Sequence, residues 1–156
     1  MPSDTVGHLE ALLKECETPP MVNQIECHTK SAQRELVSYC QERSITITAY
    51  SPISGAVSRT IVAGTWAASS KDSSNGCGQD LEDPKLMAIA GKHGVSPAAV
   101  CLRWLLQRGL SVVPSSSSPA RIDANLRLPD GFVLSDSEME ELFGLDEGGG
   151  AWQQIH

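Results

Sequence analysis

Four stretches of the chain carry residue types and spacings suited to chemistry. The first is Val112-Val113-Pro114-Ser115-Ser116-Ser117-Ser118-Pro119-Ala120-Arg121, in which an apolar run feeds a polar turn and then a helix start with an Arg one turn in. The orphan N–H groups and the dipole of a helix N-terminus attract anions, phosphate above all. Serine hydroxyls add donors there, and Arg121 adds a planar positive fork. The same residues also describe an N-capped helix with a solvated Arg, because strand-turn-helix junctions are common. The second stretch is Tyr50-Ser51-Pro52, just past a β-branched run. A ring at the carboxyl end of a parallel strand can stack on a flat heterocycle or close the end of the core. The third, Asn23-Gln24, places two amides in an apolar strand, where they bind a ligand amide or tie the strand to a loop. The fourth, Cys27-His28, has the residue types of a nucleophile and its base. Neighbours in extended chain point to opposite faces, so the pair reads as structural. His8 and His93 fall in helical segments and read as solvated.

These residues are positioned by alternating helix-like and strand-like segments. Leu9, Leu12 and Leu13 give Val6 to Cys16 a helical period, ended by Pro19-Pro20. Met21 to Glu26 is a strand candidate. Ser31 to Arg43 sets Leu36, Val37 and Cys40 on one helical face, and Ile45 to Tyr50 is the clearest strand. A Ser/Gly/Asn-rich stretch from Ser51 to Glu82 reads as a long mobile loop. Asp83-Pro84 then starts a helix with Leu86, Met87, Ile89 and Ala90 as its apolar face and Gly94 as its stop. Ser96-Pro97 starts the next, which runs to Arg108 before Gly109. Leu110 to Val113 is a third strand, Ser118-Pro119 opens a helix to about Asn125, and Ser135 with Glu138 has capping-box spacing ahead of Met139, Leu142 and Phe143. Residues 1–147 form one unit and 148–156 a flexible tail. Alternating βα units predict an α/β fold with a parallel sheet of about three strands. Three strands leave two sheet edges without a neighbour, although parallel strands need neighbours and cover on both faces.

Composition narrows the function classes. The chain has 156 residues, 40% of them apolar, which is too many for wholesale disorder. No apolar run approaches the ~20 residues of a membrane span, and the start, Met1-Pro2-Ser3-Asp4, carries no secretory signal. Twelve basic against 19 acidic residues, a formal charge of −7, disfavour nucleic acid and anionic membrane as partners. Five widely spaced cysteines (16, 27, 40, 77 and 101) with no C-x-x-C pair speak against a disulfide framework or structural zinc and for reduced thiols in the cytoplasm.

Taken together, VNQIECH, RELVSYCQERSITITAYSPISG, DPKLMAIAGKHGVSPAAVCLRWLLQRGLSVVP and SSPARIDANL, in that order, resemble the C-terminal half of the aldo-keto reductase family. The resemblance covers roughly residues 6 to 146, the long loop excepted. It implies a partial (β/α)8 TIM barrel and a part in NADPH-linked reduction of carbonyls and aldehydes. It further implies that Gln24 binds the nicotinamide carboxamide and that Tyr50 stacks on the nicotinamide ring. Ser51 and Ile53 would belong to the loop around the pyrophosphate. Ser116, Arg121 and Asn125 would hold the adenosine end, Arg121 on the 2′-phosphate and Asn125 on the adenine. No residue is implied as a metal ligand.

The chain departs from the family at Ser115, where a Lys is usual, and at Ala124, where Glu or Gln is usual. Loss of a charge-assisted contact costs on the order of 1.5–3 kcal/mol, roughly tenfold to hundredfold in affinity. NADP(H) binding is therefore expected to be weakened or lost. The family's catalytic Asp, Tyr, Lys and His belong to the first half of its barrel. This chain matches from about the helix before strand six, so no catalytic residue is assigned and the chain alone is expected to be inactive. Tyr39, its other tyrosine, lies mid-helix with no Lys four residues away. The partner expected is an N-terminal barrel half or a second copy meeting the exposed sheet edges. The alternative is a non-catalytic interaction module or homodimerising barrel fragment. A third reading is a marginal fragment with no function of its own.

Overall fold

A computed structural model of the chain describes residues 6–53, 61–62, 65–66, 79–128 and 131–148. In order they form α1 (Val6–Glu15), β1 (Val22–Glu26), α2 (Arg34–Glu42), β2 (Thr46–Tyr50), β3 (Ile61–Val62), β4 (Thr65–Trp66), a 3-10 turn (Gln79–Glu82), α3 (Pro84–His93), α4 (Pro97–Gln107), β5 (Ser111–Val112), α5 (Pro119–Arg127) and α6 (Asp136–Phe143). The expected alternation is present. The start signals work as their chemistry predicts. Asp83 accepts from the N–H groups of Lys85 and Leu86, and Ser96 from that of Ala99, each followed by Pro at the first helical position. Ser135 and Glu138 form a reciprocal capping box. Gly94 ends α3 with φ +65° and Gly109 ends the α4 turn with φ +79°, in the left-handed region that favours glycine.

The sheet has the order β1-β2-β5 and is parallel throughout. Gln24 pairs with Thr48, which pairs with Ser111. One residue on, Ile25 pairs with Ala49 and Ala49 with Val112. Successive side chains alternate between faces, and the two faces differ sharply. Ile25, Cys27, Ile45, Ile47, Ala49 and Leu110 are buried beneath the helices, in one core with Leu36, Val37, Cys40, Val100, Leu105 and Leu142. Trp104 is fully buried in it, edge-on to Phe143 at 4.9 Å, with its indole N–H donating to the Met139 carbonyl at 3.3 Å. On the opposite face Val22, Gln24, Thr46, Ser111 and Val113 are exposed. Among the described residues, helices cover the sheet on one face only, and the outer edges of β1 and β5 pair with no strand.

Several expectations are corrected. The stretch 51–82 is not wholly loop. β3 and β4 pair antiparallel, Ile61 with Trp66 and Val62 with Thr65, and the 3-10 turn precedes α3. The rest of the expected mobile loop (54–60, 63–64 and 67–78) and of the expected tail (149–156) lies outside the described residues. α2 begins at Arg34 rather than Ser31, because His28 and Ser31 first exchange two backbone hydrogen bonds in a tight turn and Gln33 takes φ 49°. α5 runs two residues past Asn125, to Arg127. Met87 and Leu12 are exposed, the helical period carrying each beyond the packed stripe. His93 is not solvated, because the α3–α6 contact brings Glu138 against it.

Candidate functional site

The expected site residues gather at the carboxyl ends of the strands and on α5. Gln24 is exposed on the uncovered face of β1, whereas its neighbour Asn23 faces the helices and donates toward Cys40 Sγ at 3.8 Å. Asn23 therefore ties strand to helix, whereas the Gln24 side chain is exposed. Tyr50 is the last residue of β2, opposite Glu26, half-buried, with its carbonyl accepting from the Cys27 N–H at 3.4 Å. Directly after it Ser51 adopts φ 50° and is exposed, a left-handed turn by a non-glycine residue that takes the chain sharply off the sheet end. Pro52 is buried and Ile53 half-buried beyond it.

The β5–α5 junction forms the second part. Ser116 Oγ accepts from the Ser118 N–H at 3.2 Å and from Arg121 Nε at 3.0 Å. Ser118 occupies the cap position but makes no side-chain cap bond, and Ser116 Oγ instead holds the Ser118 N–H just ahead of the helix. The same hydroxyl holds the Arg121 side chain at the first turn of α5. Ser115 is exposed beside it. A groove of about 420 Å³ runs between the strand end and the helix, walled by Val112, Val113, Pro114, Ile122 and Leu126 and flanked by the polar Ser116 and Asn125. Apolar walls with a hydroxyl and an amide at the margins, the hydroxyl itself bonded to a guanidinium, suit a flat heterocycle attached to an anionic group.

Cys27 and His28 do not form a nucleophilic pair. Cys27 faces the helix layer, 3.6 Å from the Ala32 carbonyl and 3.5 Å from the Arg108 guanidinium, which itself stacks on Trp104 at 4.4 Å. Burial pushes the Cys27 thiol pKa up despite the nearby cation. His28 points the other way, with Nε2 3.6 Å from Glu26 Oε1. Both side chains are more than nine-tenths buried, and Glu26 Oε2 and His28 Nδ1 meet no hydrogen-bond partner among the described residues. The sequence reading missed this pair, although an i, i+2 acid and imidazole in extended chain share a face. A second buried carboxyl, Glu138, receives Lys92 Nζ at 2.7 Å, His93 Nε2 at 3.1 Å from both oxygens, and the Ser135 N–H and hydroxyl at 2.8 and 2.9 Å. The lysine first and the backbone N–H next hold its pKa at about 2. It lies on α6, and its bonds tie that helix to α3. Among the described residues no group of three or more His, Cys, Asp or Glu side chains is placed to hold a metal ion, and no helix is long and apolar enough to cross a membrane.

Comparison with known proteins agrees with this architecture. The Aldo/keto reductase family profile matches residues 3–147. Among curated relatives, Aldo-keto reductase family 1 member A1-A of Danio rerio is 38% identical over 131 residues, 84% of this chain and 36% of its own length. The Bos taurus Aldo-keto reductase family 1 member A1 is 37% identical over 145 residues, 89% and 39%. The chain thus spans about two fifths of the length of the curated relatives it matches. Among solved structures, the aldose reductase of Schistosoma japonicum superimposes with a TM-score of 0.74 at 32% identity, covering 94% of this chain and 40% of that one. An aldo-keto reductase from a deep-sea metagenome library gives 0.75 at 28%, covering 93% and 46%. The three parallel strands and their helices are an arc of an α/β barrel, and the chain belongs to the aldo/keto reductase family.

Proposed function

We propose that this chain is the C-terminal portion of an aldo-keto reductase barrel, holding much of the seat for NADP(H) but not the acid that protonates a carbonyl. The observation that carries the reading is the β5–α5 junction, where Ser116 and Asn125 flank one apolar-walled groove and the Ser116 hydroxyl holds Arg121 Nε at 3.0 Å. Arg121 would take the 2′-phosphate and Asn125 the adenine edge, with the adenine ring between Val113 and Ile122. Gln24 would hold the nicotinamide carboxamide, Tyr50 would lie against the nicotinamide ring, and Ser51 and Ile53 would follow the pyrophosphate. NADPH supplies a hydride when bound, and the protein's task is to orient it and exclude water. Ser115 brings no charge to the phosphate end, so the affinity is expected to be low.

The proton donor would come from outside this chain. The chain has two tyrosines. Tyr50 is committed to the nicotinamide side in this reading, and Tyr39 sits on α2 beneath the Arg43 guanidinium, 3.6 Å from its ring centre. A general acid needs its pKa tuned by a positioned neighbour such as lysine, and Arg43 instead bonds the Tyr39 carbonyl at 3.2 Å.

Titration of NADPH against the purified chain, followed by nucleotide fluorescence, tests the reading. Weak saturable binding is expected, with Arg121→Ala weakening it about tenfold to hundredfold and no NADPH consumed when an aldehyde is added. Unchanged binding in the variant would remove Arg121 from the seat, and turnover by the chain alone would overturn the division of labour. A second reading, a non-catalytic association module, is favoured by the uncovered sheet face with exposed Val22 and Val113.

A further inference from the structure

The pair Glu26–His28 is unused by the nucleotide seat just described and stands out chemically. It lies at the carboxyl end of β1, on the sheet face that the helices leave uncovered. The assignment of face follows from its neighbours: Asn23 reaches Cys40 of α2, Cys27 reaches the Arg108 guanidinium at the end of α4, and Ile25 lies in the core. Residues 24, 26 and 28 therefore point the opposite way. Glu26 and His28 are nonetheless nearly fully buried, 3.6 Å apart at the nearest atoms, and each retains a polar atom, Oε2 and Nδ1, without a partner among the described residues. Buried polar groups are almost always satisfied, and a buried carboxyl without donors is costly. A carboxylate oxygen only accepts, and a neutral imidazole that turns its Nε2–H toward that carboxylate leaves Nδ1 as a second acceptor.

We propose that Glu26 and His28 form a socket for a cationic side chain, a lysine or an arginine, carried by the barrel portion that covers this sheet face. The inference rests on the reading of the chain as part of a barrel. Two observations select this occupant. The relatives are more than twice as long as the segment matched, so they hold further chain beside it. Glu26 Oε2 only accepts, and His28 Nδ1 accepts in the tautomer that turns Nε2–H toward Glu26, so the pair calls for a donor.

Two measurements on the Glu26→Gln variant decide it. In the full chain alone the socket has no donor, so Glu26→Gln, which removes the unsatisfied carboxyl charge, is expected to leave the fold intact and to raise the urea midpoint. A lowered midpoint, as for a complete structural ion pair, would overturn the proposal. In the second measurement the chain is co-expressed with a tagged N-terminal portion of the Bos taurus relative, cut ahead of the matched segment, and the retained complex is quantified by titration. Retention of the unaltered chain with about tenfold to hundredfold weaker retention of Glu26→Gln is the expected result. Equal retention of both would reject the socket while leaving barrel completion standing. Failure to retain the unaltered chain would reject barrel completion and the socket together. NADPH binding by the chain alone is expected to be unchanged in Glu26→Gln, which separates this inference from the nucleotide seat.

Discussion

At the scale of single residues, two buried carboxyls have opposite circumstances. Glu26 lacks donors for one oxygen, whereas Glu138 has a surplus: an ammonium, an imidazole, a backbone N–H and a hydroxyl all converge on it. Lys92 is largely exposed, so its share is that of a surface ion pair, below about 1 kcal/mol. The remaining bonds are shielded, and Glu138→Gln is expected to cost about 2 kcal/mol at neutral pH. The folded pKa, about 2, lies below the usual 4.5. A lowered carboxyl pKa contributes stability that is complete above the unfolded value and is lost as pH falls toward the folded one. Thermal unfolding followed by circular dichroism should therefore show the native chain weakening between about pH 4.5 and 2, with Glu138→Gln flatter across that window. An unchanged pH slope would show that the Glu138 cluster is not coupled to folding.

At the scale of elements, the chain's helices owe their ends to short polar signals. α3 begins at Asp83 and ends at Gly94, and through α6 it carries the Glu138 clamp. Asp83→Ala removes the acceptor for two otherwise orphan N–H groups and is expected to cost about 1 kcal/mol, read as a lowered urea midpoint with an unchanged denaturant slope. A neutral outcome would mean that packing alone starts the helix. α5 obeys a different rule. It buries no side chain along its nine residues, and its start is fastened by Ser116 from the preceding loop rather than by its own cap. A helix fixed by its N-terminal loop and not by a buried face is suited to answer to a ligand seated at that loop.

At the scale of the whole molecule, the dominant fact is a sheet that, among the described residues, helices cover on one face. Parallel sheets are ordinarily buried on both sides, yet Val22 and Val113 are about half exposed here, and the β1 and β5 edges are unpaired among the described residues. Such a surface favours association. Light scattering of the chain alone is expected to give a mass that rises with concentration above that of one chain, and Val113→Lys should suppress the rise. A concentration-independent monomer would count against this face as an interaction surface.

The linear order of elements, their caps and the parallel sheet were legible in the sequence because each is a local signal: a serine or aspartate before Pro, a glycine past the last helical turn, a β-branched run. The placing of Ser116, Arg121 and Asn125 along one β5–α5 junction was legible for the same reason, since a single strand-turn-helix segment contains all three. Other features depend on chain segments far apart in sequence. His93 read as solvated until the α3–α6 packing brought Glu138 to it, 45 residues away. Cys27 read only as half of a structural pair until α4 set Arg108 against it, 81 residues away. The solvent-facing side of the sheet, and with it the buried Glu26–His28 pair, depends on which face the helices chose to cover. Local hydrogen bonding writes the elements into the sequence, whereas burial is decided only when distant faces meet.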